Sequence, residues 1–155
     1  MEKENKKEKK TSVHEILAQS YLLTFSFFLL GVILDFIFKF KYFENPIFVY
    51  VGILIMFLGS ILIYLAQKTS RKLNINDITK ETFMKGPYKF SRTPTHWGML
   101  FLVTGFGIAS NALFIVLTAI LAFLFSKTFF LKKEEKILLG KYGAPYLEYK
   151  KVVRL

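Results

Sequence analysis

Residues 97–125 read WGMLFLVTGFGIASNALFIVLTAILAFLF, and no charged residue interrupts the run. One helix of that length would measure about 44 Å at 1.5 Å per residue, more than a tilted crossing of a hydrocarbon core of about 30 Å needs. Near its middle stands a polar pair, Ser110-Asn111. Asn ends helices and opens turns because it tolerates left-handed backbone. The run therefore reads as a tight helical hairpin, about residues 95–109 and 112–130.

Two further apolar stretches precede it, 17–38 and 47–66. Each is about 20 residues, enough to span a bilayer as a helix. The fold class expected is an all-α integral membrane protein with four transmembrane helices, a tight hairpin between helices 3 and 4, and a C-terminal interfacial helix. At 155 residues there is room for one domain, 1–155. Its parts are a charged tail 1–16, helices 1 and 2 within 17–66, a polar loop 67–96, the hairpin 97–130 and an interfacial tail 131–155. The first 16 residues mix five Lys with four Glu, unlike a secretory signal. The apolar run after them is also too long for an h-region.

Hydrophobic residues make up 53% of the chain, yet its formal net charge is +11, so charge and apolar surface must be segregated. Lys and Arg number five before the first span, seven between spans two and three, and eight from Lys127 onward; only Lys39 and Lys41 fall on the other side. The positive-inside rule then puts both termini and the polar loop in the cytoplasm. A multi-pass protein of the plasma (cytoplasmic) membrane is the default expectation. Membrane lipids are the expected partners, since basic residues flanking apolar runs suit anionic head groups, and no nucleic acid is expected. Without cysteine there are no disulfides or thiolate ligands. His14 and His96 lie far apart with no acidic cluster beside them, so no metal site is expected. Asp35, the one acid inside a span, is read as sitting near the outer helix end, pairing with Lys39 or reaching the interface.

The hairpin carries a consequence for chemistry. The stretch GPYKFSRTPTHW, residues 86–97, enters span three, and Glu134-Glu135 follow span four. A chain that goes out and returns brings both to one mouth, with a base, an imidazole, aromatic rings and two carboxylates. Ionisable groups at membrane depth are costly and usually functional. Taken singly, each has a plain structural role: Arg92 as an anchor, Tyr88 and Trp97 in an aromatic belt, Pro94 as a helix start, and the Glu pair on a solvated helix face. Gly98, Gly105 and Gly107 suit close helix packing better than a nucleotide loop.

The order of these motifs, GPYKFSRTPTHWG, then a hydrophobic hairpin, then EEKILLGKYGAPYLEYKK, resembles the isoprenylcysteine carboxyl methyltransferase family and its phospholipid methyltransferase relatives. The matching positions are Gly86, Pro87, Tyr88, Arg92, Pro94, Gly98, Glu134, Glu135, Leu138, Gly143, Tyr146 and Tyr149. Thr93 stands where the family carries His, His96 where it carries Tyr, and Phe130 where many members carry Arg. The resemblance implies S-adenosylmethionine-dependent methyl transfer at the membrane–cytosol interface, to a lipid or lipidated small acceptor. It assigns cofactor contacts to Lys80, Glu81, Thr82, Phe83, Tyr88, Thr93, Pro94, Thr95 and His96. Glu134 falls where the family contacts the acceptor, and Arg92 and Glu135 complete the catalytic set. The alternatives are a nicotinamide-dependent membrane reductase of the same superfamily and a non-catalytic module that keeps the scaffold.

Overall fold

The computed structural model describes residues 13–41, 45–71 and 78–153. The expectations for most of the charged tail, for residues 72–77 of the loop and for the closing Arg154-Leu155 lie outside them. Every regular element among the described residues is helical: α1 (Val13–Phe38), α2 (Ile47–Arg71), α3 (Lys80–Phe83), a 3-10 turn (Gly86–Lys89), α4 (Pro94–Ala109), α5 (Leu113–Phe125), a π-helical segment (Ser126–Phe130), α6 (Leu131–Tyr142) and α7 (Ala144–Val152).

Among the described residues, three stretches are long and apolar enough to cross a membrane: Glu15–Phe38, Ile47–Arg71 and Leu113–Tyr142. α4 has 16 residues, about 24 Å of helix, and is shorter than these. The chain passes from α4 to α5 through Ser110, Asn111 and Ala112, with Asn111 at φ 55°. The backbone N–H of Ala112 donates to the Gly107 carbonyl at 2.7 Å. One boundary differs from the sequence expectation. No break falls at residue 130; the π segment joins α5 to α6, and the helical run continues to Tyr142. Lys132, Lys133 and Lys136 suggest an interfacial tail in the sequence, but charges on one face do not stop a helix.

α2 packs on α4, α4 on α5, and α5 on α1. The α2–α4 contact is set by two glycine levels. A methyl group on Gly52 would lie 2.6 Å from the Gly105 carbonyl oxygen, and one on Gly105 2.6 Å from that of Gly52. Two turns along, Gly59 meets Gly98, where an added methyl would lie 2.7 Å from the Gly98 carbonyl. A spacing of seven keeps each pair on one helix face. Because Gly52 meets Gly105 and Gly59 meets Gly98, the two helices run antiparallel. Small residues let apolar helices touch backbone to backbone, where packing rather than water expulsion drives association.

α1 and α5 are also antiparallel, tied at both ends by polar contacts. At one end Ser20 hydrogen-bonds Ser126 at 3.2 Å. At the other, the Phe114 and Ile115 backbone N–H groups donate to the Asp35 carboxylate at 3.1 and 2.9 Å. The first amides of a helix have no partners of their own, and the helix dipole favours an anion there. No side chain of Ala112 or its neighbours caps α5 locally. Asp35 therefore caps α5 from the neighbouring helix, in place of the expected pairing with Lys39, whose ammonium lies over the Phe36 ring.

Two outcomes follow, both readable as thermal unfolding in detergent. Gly105→Val destabilises by about 1–3 kcal/mol through overpacking, whereas Gly140→Ala, where an added methyl meets nothing within 4 Å, does not destabilise. Asp35→Ala costs about 1–3 kcal/mol by stranding buried amides, and Lys39→Ala costs much less.

Candidate functional site

The site grows from the start of α4. Pro94 occupies its first turn, where a fixed φ helps and a missing N–H costs nothing. The N–H groups of His96 and Trp97 then donate to the Thr93 carbonyl at 3.1 and 3.3 Å. This tight start turns Thr93, Thr95 and His96 inward, and all three are buried. His96 Nε2 lies 3.0 Å from the Ser20 hydroxyl of α1, which in turn donates to Ser126. Trp97, on the adjoining face, packs on Phe123 with ring centroids 4.7 Å apart.

The second half arrives from α5. In the π segment each turn takes in one more residue than an α-turn, which shifts the side chains that follow around the helix axis. Ser126 opens the segment and is 1% exposed. Further on, Glu134 is 6% exposed, and its Oε1 lies 3.9 Å from His96 Nε2. Successive residues on an α-helix point about 100° apart, so Glu135 faces another way. It forms an ion pair with Arg92 and accepts from Lys150 Nζ at 2.6 Å. Two adjacent carboxylates thus have different environments: Glu135 is bracketed by two cations, while Glu134 is dry. Glu134 Oε1 and His96 Nδ1, both buried at this end, have no hydrogen-bond partner among the described residues.

α7 folds back over this end. Gly143 at φ 60° breaks the helix after Tyr142; an added methyl there meets nothing within 4 Å, so backbone conformation rather than space calls for glycine. Tyr146 and Tyr149 then pack on Phe83 of α3, with centroids 5.5 and 5.6 Å away. The Tyr149 hydroxyl donates to the Tyr88 carbonyl at 2.8 Å. Burial pushes the Tyr88 hydroxyl up to about 12, and burial raises Tyr149 as well. Both phenols stay neutral and remain hydrogen-bond donors.

Arg92, Thr93, Thr95, His96, Glu134 and Glu135 meet at one end of the helix bundle, and Tyr88 joins them through Tyr149. Phe83 enters through the aromatic cluster. Thr82 is buried but caps its own short helix, accepting from the Thr79 backbone N–H at 3.1 Å. Lys80 and Glu81 lie at the rim, where Glu81 is exposed. Sequence reasoning missed Ser20, Tyr21, Thr24 and Ser126, which with His96, Val103 and Ala119 line a narrow cavity of about 10 Å³ running inward from His96, about the volume that admits one water. The available signal was Ser20 and Thr24 four apart, on one face of an otherwise apolar helix.

A dry carboxylate, an imidazole and packed phenols at one end of the bundle can hold a small cation and accept a proton. No curated protein and no solved structure matches the chain. Its residues 73–145, which carry the loop, α4, α5 and the Glu134-Glu135 pair, match the phospholipid methyltransferase family.

Proposed function

We propose that this chain is an S-adenosylmethionine-dependent membrane methyltransferase acting on a lipid or lipidated small acceptor at the cytoplasmic face. The family match supports methyl transfer to lipid, and three long apolar helices support a membrane setting. The observation that carries the reading is Glu134, 6% exposed beside His96 with an oxygen that has no hydrogen-bond partner among the described residues. A carboxylate is rarely left so unless it serves a ligand.

These residues suit the donor. S-adenosylmethionine supplies a methyl group on a positively charged sulfur, and aromatic faces and carboxylates attract such a cation. Tyr88 and the Thr93–His96 corner, with Lys80 to Phe83 at the rim, are the residues proposed to hold it. Glu134 is proposed to contact the acceptor, with Arg92 and Glu135 fixing α6 against the start of α4. Methyl transfer is an in-line displacement, so the protein's task is to align the two reactants and exclude water. Exposed apolar flanks on α1 and α2 leave a lipidic acceptor free to approach from the bilayer, while the donor enters from the basic, aqueous end.

Purified protein in detergent is expected to bind S-adenosylmethionine saturably and to melt at a higher temperature with it, as any ligand of the native state ensures. Glu134→Gln lowers methyl transfer by about 100-fold, in the range of a lost catalytic contact. No saturable binding by a cooperatively melting protein would sink the reading; thermal protection by a nicotinamide dinucleotide instead would favour a reductase.

A further inference from the structure

We propose that α3 and α7 form one cap, jointed to the bundle at Gly86 and Gly143, that lifts from the Glu134–His96 mouth to admit a ligand and closes over it. For the ligand's identity the proposal rests on the methyl-transfer reading above; the moving part rests on the fold alone.

The need for an opening comes from burial. Thr93, Thr95, His96 and Glu134, the groups at the centre of the mouth, are all buried. The cavity inward of His96 has about 10 Å³, whereas a ligand of the size of S-adenosylmethionine takes a cleft of about 300–1,000 Å³. Side chains that are to touch such a ligand must first be uncovered. α7 lies over them. The Tyr146 hydroxyl stands close enough to Glu135, Arg92 and Glu134 to feel their charges, and Tyr149 lies within the same reach of Tyr88 and Arg92.

The parts of the cap belong to one another. Phe83 of α3 and Tyr146, Tyr149 and Val153 at the α7 end bury one another in a single apolar cluster, with Ile78 and Met84 packed against it. Leu138 and Tyr142 of α6 are its seat on the bundle. Polar ties across the seam include the Tyr149 hydroxyl on the Tyr88 carbonyl at 2.8 Å and Lys150 on Glu135 at 2.6 Å. The Lys150 side chain is 41% exposed, and an ion pair so open to water holds weakly.

Glycine stands at both joints. Gly86, at φ 55°, separates α3, packed on α7, from the 3-10 turn packed on α2. Gly143, at φ 60°, separates α6 from α7. Glycine adopts such backbone without the strain a side chain brings, and at Gly143 nothing lies within 4 Å of an added methyl to restrain the turn. Hinges are a few residues at element ends that absorb a change in φ and ψ while the elements stay rigid. A cap that shuts also expels water from the reacting groups, which strengthens the attraction of Glu134 for a cation.

The chain has no cysteine, so spin labels can be placed in chosen pairs. Lys68 of α2 and Leu147 of α7 are exposed. Double electron–electron resonance on labels at Lys68→Cys and Leu147→Cys, in cooperatively melting protein in detergent, is expected to show two distance populations. Saturating S-adenosylmethionine collapses them into the distance of the closed structure. Tyr149→Phe removes one tie and raises the ratio of open to closed about three- to tenfold, the worth of one hydrogen bond. A pair within the cap, Glu81→Cys with Leu147→Cys, and a pair within the bundle, Lys68→Cys with Phe129→Cys, each keep one distance. A Lys68–Leu147 distance that neither the ligand nor Tyr149→Phe alters overturns the proposal. So do two populations that bound S-adenosylmethionine leaves untouched, a split of the cap pair, or an equal change in the bundle pair. Two populations in a protein that binds no S-adenosylmethionine uphold the cap and place the failure in the methyl-transfer reading.

Discussion

Glu134 and His96 face one another across 3.9 Å, both almost fully buried, in a chain whose other surfaces are largely apolar. Removing a carboxylate from water is expensive, and the rest of the structure can be understood as what holds that contact in place. The turn at Asn111 brings α5 back alongside α4. The π segment then re-aims α6, and the Arg92–Glu135–Lys150 group fastens α6 and α7 to the loop before α4. Phe83, Tyr146 and Tyr149 close the same end with rings packed edge-on and tilted. The ion-pair group and the ring cluster join segments distant in sequence, so displacing one displaces the pocket.

The opposite end solves a different problem. A helix that begins inside an apolar layer exposes amides that no water can satisfy. Half-buried Asp35 meets those of α5 with its carboxylate, whose partial desolvation is offset by two hydrogen bonds and the helix dipole. Between the ends, glycine pairs let α2 touch α4 directly. Polar groups thus serve termini and the mouth, while small and apolar residues serve the length of the bundle.

Much of this was legible in the sequence, and the reasons are local. Apolar length marks the long helices, Pro94 marks a helix start, and Asn111 marks a turn. Once the chain turns at Asn111, the Arg92–His96 corner and the Glu pair must come back to the same end. What could not be read depends on rotation about a helix axis. One added residue in the π segment decides that Glu134 faces His96 while Glu135 faces Arg92, and nothing in SKTFF announces it. Ser20 and Ser126 lie more than a hundred residues apart, so their meeting depends on the lateral order of helices, which hydropathy does not carry. Asp35 illustrates the same limit. Its neighbour in sequence, Lys39, suggested a partner, but its partners in space are backbone amides that no residue type reveals.

Photo-crosslinking of S-adenosylmethionine labelled in its methyl group, followed by peptide mapping, tests the account most directly. Label concentrated in residues 80–96 and 131–149, and competed away by unlabelled ligand, is the result that a single mouth built from these two segments requires. Competable label on the helix surfaces of α1 and α2 far from Ser20, or at the Asp35 end, would contradict it.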